Sequence, residues 1–324
     1  MAPAAHSRTK LPWILVAVTL AACSTDPTQR KITYLNDGMN SFHAGKYQEA
    51  VIQFRNAIQI DPRYAAAHYQ LARTYQSLAN TEQAYRELTE TVALDPGNTD
   101  AQLDLAHLMT GRRQFQQAQS IARKVLAANP GNARAHAILG ASYTAAHDLT
   151  NAIAEIRKTV EIDPKRAESY MALGSVYFAA GRLTEAEDAY RKATSADPKS
   201  VPARMALSEF YFAGRRTAEA ETEMRAACDL DSHAVAPRLF LGRILVAANR
   251  LAEAEKVYSN LKTVVPDDPQ AYQALALFYS TTNQKDKALT EFQSLVSARP
   301  KDVSVKASLV ETLLDLGRID EAAS

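Results

Sequence analysis

The sequence predicts an all-α fold, a right-handed superhelical solenoid of helix–turn–helix hairpins. Three observations predict it. Prolines stand at Pro62, Pro96, Pro130, Pro164, Pro198, Pro266 and Pro300, 34 residues apart except for one double interval in which Ser232 takes the vacant place. If each proline closes a unit at place 32, the first unit starts at Lys31, and place 20 is alanine in all nine units, from Ala50 to Ala322. The composition agrees, with 47% hydrophobic residues but only 11 Gly and 1 Trp. Such a composition suits closely packed helices better than a sheet.

The other places of the unit have physical reasons of their own. Place 7 is leucine in every unit after the first, Leu71 to Leu309, and Asp37 departs from it. Place 8 is small (Gly38, Ala72, Ala106, Gly140, Gly174, Ser208, Gly242, Ala276), which lets two helices approach closely. Places 11 and 24 are bulky, as at Tyr75, Tyr143 and Tyr211 and at Phe54, Ile156 and Tyr258, and fill the space around that approach. The turn from the first helix (A) to the second (B) is expected near place 15, where Gly45, Gly181, Asn249, Asn283 and Gly317 can adopt positive φ. Asp-Pro pairs stop helix B, because the residue before proline is pushed out of helical space. Asn98, Asn132, Ser200, Asp268 and Asp302 then stand where the next helix needs its N-cap.

Together these places resemble the tetratricopeptide repeat family, over residues 31–324, as about nine 34-residue units of which the last is incomplete. The resemblance implies that helix A lines a concave surface, and that proteins or peptide segments bind there. The ninth unit stops early in its second helix, and Leu309, Leu313 and Leu316 are expected to be half covered. A longer natural chain is the expectation that follows.

The first 22 residues read as a signal peptide: Arg8 and Lys10, then the apolar Leu11–Ala22. Those 12 residues fall short of the roughly 20 that span a bilayer. The ending Leu20-Ala21-Ala22-Cys23 resembles the bacterial lipobox, which implies cleavage before Cys23 and a diacylglycerol on its thiol. Ser24 after the cysteine implies sorting to the outer membrane, facing the periplasm. Residues 23–30 are read as the lipidated cysteine and a short linker. Cleavage leaves 35 basic against 36 acidic side chains, a net charge of −1, so no polybasic patch assists the lipid.

Composition and motifs also argue against other functions. The whole chain carries a net charge of +1, without the basic excess of a nucleic-acid binder. Two cysteines, Cys23 and Cys228, are too few for a zinc site or a disulfide framework. His-Glu-x-x-His, phosphate-binding glycine loops and Gly-x-Ser-x-Gly elbows do not occur. No catalytic residue, metal or cofactor is therefore expected. His68 and His136, both at place 4, are read as packing residues of helix A, and Cys228 as a buried inert thiol.

The expected site is the groove along the A helices. Its candidate residues are Tyr69, Leu103, Met171, Met205 and Leu239 at place 5, Arg73, His107, Glu209 and Arg243 at place 9, and Phe42, Phe178 and Phe212 at place 12. Methionine and aromatic side chains with a few charges suit an apolar or amphipathic segment. Tyr69, Phe178, Phe212 and Arg243 are the expected anchors. The family's carboxylate clamp needs Lys and Asn at set places, and Tyr69/Arg73, Leu103/His107 and Ala137/Ala141 do not supply them.

The function expected is a membrane-anchored scaffold or assembly factor of the bacterial cell envelope. At the level of lipobox, short linker and unbroken array the chain resembles lipoproteins of exopolysaccharide export and exosortase systems, and shorter ones of type IV pilus assembly. The alternative is the repeat half of a longer enzyme, such as an O-linked glycosyltransferase. The lipobox opposes it, because nucleotide sugars are cytosolic.

Overall fold

A computed structural model describes residues 26–323. The segment 1–22 expected to be a signal peptide, and Cys23, lie outside the described residues. Contacts divide the chain into two compact units, one ending at Leu105 and the other beginning at Ala106. All regular structure among the described residues is helical.

In the first unit α1 (Pro27–His43) pairs with α2 (Tyr47–Ile60), and α3 (Ala65–Ser77) with α4 (Thr81–Leu94). The unit boundary falls inside α5 (Thr99–Gly111). The linker expected up to Arg30 is shorter than that. Pro27 opens α1, and the Asp26 carboxylate caps it by accepting from the Thr28 amide at 3.1 Å.

The second unit continues with α6 (Phe115–Ala128), α7 (Ala133–Ala145), α8 (Leu149–Ile162), α9 (Ala167–Ala179), α10 (Leu183–Ala196), α11 (Val201–Ala213) and α12 (Thr217–Leu230). It ends with α13 (Val235–Ala247), α14 (Leu251–Val264), α15 (Pro269–Thr281), α16 (Lys285–Ala298), α17 (Val303–Asp315) and the short α18 (Ile319–Ala322). Leu313, expected to be half covered, is buried.

Every A-to-B turn among the described residues has the same chemistry. At the first, the Gly45 amide donates to the Phe42 carbonyl and the Lys46 amide to the Ser41 carbonyl, which satisfies the last carbonyls of the helix. The residue between must have positive φ. Gly45, Gly181, Gly317, Asn249 and Asn283 adopt it as the sequence predicts. Ala79, Arg113, His147 and Arg215 adopt it too, although they carry a Cβ. The hydrogen-bond pattern and the packing of the flanking helices outweigh the local preference there.

The predicted N-caps are in place. Asn98, Asn132, Ser200, Asp268 and Asp302 each accept from an amide in the first turn of the next helix. The aspartates of the Asp-Pro pairs do more than end helix B. Asp61, Asp95, Asp163 and Asp197 each accept from the amide two residues on, and so hold the loop in a tight turn.

The small residue at place 8 meets the bulky one at place 24. A Cβ on Gly38 would lie 2.5 Å from the Phe54 ring, and one on Gly140 would lie 2.4 Å from Ile156 Cγ1. Where place 8 is Ser208, its hydroxyl donates to the Ala220 carbonyl at 2.6 Å, a direct bond between paired helices.

Place 4 carries a hydrogen-bonding side chain that ties one hairpin to its surroundings. His68 and His136, read as packing residues, are indeed buried, and each reaches both a glutamate and the proline carbonyl of the preceding loop. Gln102 donates to the Pro96 carbonyl, Arg204 pairs with Glu223, and Tyr272 donates to Asp302.

Charged ties also join successive hairpins within the second unit. Arg216 bridges Glu187 and Glu219, and Arg250 bridges Glu221 and Glu253. The Arg216 and Arg250 pKa values rise, first through their carboxylate hydrogen bonds. Both guanidiniums remain solvent-accessible, so each bridge adds little by itself and fixes register more than it stabilises.

Candidate functional site

The inner face of each unit follows from which helices approach. In the second unit α9 nears α11, α11 nears α13 and α13 nears α15, whereas no two second helices pack as closely among the described residues. The A helices therefore stand on the inside of the curve, as expected. The predicted residues at places 5, 9 and 12 all belong to these A helices.

The first unit brings three predicted residues together. The Arg73 guanidinium lies 5.3 Å from the Phe42 ring and 6.0 Å from the Tyr69 ring. Its Nη1 also donates to Gln70 Oε1 at 3.2 Å. The Tyr69 hydroxyl donates to Asp104 Oδ2 at 3.0 Å. Burial, and then the Asp104 carboxylate, push its pKa up to about 12. The cluster offers a flat cationic and aromatic surface. Leu103 is a correction: it is 1% exposed and belongs to the core, not to a groove. It shares place 5 with Tyr69, but its side chain is covered by its neighbours.

In the second unit Met171, Met205 and Leu239 occupy place 5 of successive A helices and are half-buried. Phe178 is 44% exposed and meets Phe210 edge-on at 5.9 Å. Phe212 behaves differently. It packs edge-on against Phe240 at 5.5 Å and leans on the core, so it joins neighbouring hairpins as much as it lines a surface. Glu209 and Arg243 are exposed, and the Arg243 guanidinium lies 5.0 Å from the Phe240 ring. His107 stands exposed on α5. Cys228 is partly buried, and burial pushes its thiol pKa up, as suits an unreactive sulfur.

Two clefts open on this face. One, of about 380 Å³, lies between α7 and α9. Ala137, Ala141, Ala145 and Ala172 form its walls, and Ile156 and Val176 line it deeper. Arg166 and Glu168, 3.6 Å apart, stand at its rim. Sequence reasoning missed it, although alanine at places 5, 9 and 13 of α7 was the available signal. The other cleft, of about 740 Å³, joins the predicted Leu239 and Arg243 to Tyr258, Gln273, Ala274, Leu277 and Ser304 around α13 and α15.

Repeated hairpins with an apolar, partly aromatic inner face define a helical-repeat interaction protein. Sequence profiles described as tetratricopeptide repeat match residues 79–141, 215–278, 146–201, 171–235 and 269–302, and one described as TPR repeat matches 42–78. The chain belongs to the tetratricopeptide repeat family, and it is a scaffold for protein–protein interaction.

No curated protein matches the chain by sequence. Among solved structures it is similar to PilW, a widely conserved type IV pilus biogenesis factor, with TM-score 0.58 and 16% identity over 66% of this chain and 99% of that one. It is also similar to PilF of Pseudomonas aeruginosa, with TM-score 0.51 and 15% identity over 67% of this chain and 99% of that one. MamA of Desulfovibrio magneticus RS-1 covers less, with TM-score 0.48 and 20% identity over 52% of this chain and 96% of that one.

Proposed function

We propose that the protein is a lipid-anchored scaffold or assembly factor of the bacterial cell envelope, holding apolar or amphipathic segments of partner proteins along the inner face of its A helices. The observation that carries the reading is the apolar surface left open there, Phe178 above all, with clefts on the same face. The lipobox ending at Cys23 supports the anchor, and Ser24 supports the outer membrane. The role of PilW as a type IV pilus biogenesis factor supports a reading of this kind.

Two experiments test the proposal. Metabolic labelling with an alkyne fatty acid is expected to tag the wild type and not Cys23→Ser. Equal labelling of both would sink the anchor. Pulldown from envelope extract compares the wild type with Met171→Ala, Phe178→Ala. A partner retained by the first and lost by the second is expected. Identical captured sets would remove the inner face as the site.

A further inference from the structure

We infer that the cleft around α13 and α15 selects a segment in which a single acidic side chain is flanked by apolar ones. The inference rests on the proposed peptide-binding role and names the partner chemistry for one part of that face.

The helices α13 and α15 carry only two charged side chains, Arg238 and Arg243. Arg238 is occupied, donating to the carbonyls of Asp231 at 3.1 Å and Ala234 at 2.7 Å. Arg243 is not. Among the described residues it has no hydrogen bond or ion pair; it lies over the Phe240 ring, and its charge also reaches the Tyr258 phenol across the cleft. Stacking on that ring leaves the guanidinium edge free, the part that binds a carboxylate in two-point fashion.

The surroundings are apolar. Leu239, Tyr258, Ala274 and Leu277 line the same cleft, and Leu277 is 44% exposed although it is a large aliphatic side chain. A carboxylate held at Arg243 would therefore sit beside a surface that takes apolar side chains and excludes water, where a charged hydrogen bond is stronger than in open solvent. The neighbouring hairpin limits the number of acids. Glu209 on α11 is exposed and has no ion pair among the described residues, so it repels an acidic tract. One acid between apolar residues fits, and a run of acids does not.

The test uses the full chain and three fluorescent peptides. Each has leucines at i and i+4, and Glu, Gln or Lys between them; each is made with a free and an amidated C-terminus. Anisotropy is expected to show about tenfold tighter binding for the Glu peptide than for the Gln peptide, with the Lys peptide weakest and the C-terminus without effect. Arg243→Glu is expected to reverse the order. Arg243→Gln is expected to level it, and unchanged circular dichroism would show that both variants fold. Binding of all three peptides with equal affinity by wild type and variants would overturn the charge selection and leave the groove standing. A preference that follows the free C-terminus would overturn the internal acid. Binding of none would overturn the groove as well.

Discussion

Gly140→Leu is expected to destabilise the second unit by about 3 kcal/mol, the upper end of what overpacking costs. The reason is distance and rigidity together. A Cβ at this position would already stand 2.4 Å from Ile156 Cγ1 and 3.5 Å from the Ala152 carbonyl oxygen. Cγ1 is attached directly to the Ile156 Cβ, so it cannot move without a change of rotamer or of backbone. Ile156 is itself buried. Leucine is a good helix former, and its gain over glycine is below about 1 kcal/mol, so the clash wins. Urea unfolding of the full chain checks the sign. Ile156→Ala in the same chain should recover part of the loss, because the two residues contact and their effects cannot add. Independent, additive effects would refute the contact. Gly242 is a softer case, since the nearest atoms there belong to the far end of the Tyr258 ring, which can swing aside.

His68→Gln is expected to cost about 2 kcal/mol at pH 5.5, the usual size of a hydrogen bond to a charged group, and clearly less at pH 8.5. His68 Nδ1 lies 2.6 Å from Glu87 Oε2 and Nε2 lies 3.1 Å from the Pro62 carbonyl oxygen. Both neighbours are acceptors, so both ring nitrogens must donate, and only the imidazolium does so. The Glu87 bond raises the His68 pKa above its ordinary 6.5, against the opposing effect of burial. A raised folded-state pKa gives stability that is fully present below about pH 6.5 and is lost as the pH rises through the folded value. Glutamine keeps the bond to the proline carbonyl, as Gln102 does to Pro96 at 2.6 Å, and loses the ion pair. The difference in urea midpoint between wild type and variant at the two pH values is the measurement. A difference independent of pH would mean that His68 is neutral in the folded chain.

Most of the fold was legible in the sequence because a repeat writes each requirement many times. Alanine at place 20 and small residues at place 8 recur because the same close approach recurs. Glycine and asparagine at place 15 marked five turns. The remaining turns were invisible, since nothing about Ala79 or Arg215 signals positive φ. The hydrogen-bonded loop and the next helix impose it from outside. Place 4 was read as packing, and the hydrogen bonds of His68 and His136 to glutamates could be seen only once Glu87 and Glu155 were brought beside them. Glu155 makes the point well: burial opposes its charge, yet hydrogen bonds from His136 and Lys158 hold its pKa below the usual value.

The site was legible in outline only. Periodicity put Met171, Phe178 and Arg243 on the A helices, where Phe178 and Arg243 are exposed and Met171 is half-buried. It could not tell a side chain that stays open, such as Phe178, from one taken up by the next hairpin, such as Phe212 on Phe240. Nor could it show that Leu103 is buried. Absence was the hardest feature to read. The α7–α9 cleft exists because three alanines leave space, and residue-by-residue searches look for what is present.

The most direct test of the central claim is site-specific photo-crosslinking in cells. A photoreactive amino acid replaces Phe178 on the inner face in one strain, and the exposed Ser195 of α10 in another. A discrete crosslinked protein at position 178, absent at 195, is the predicted result. Crosslinks at 195 with none at 178 would place the partner on the second helices and contradict the account.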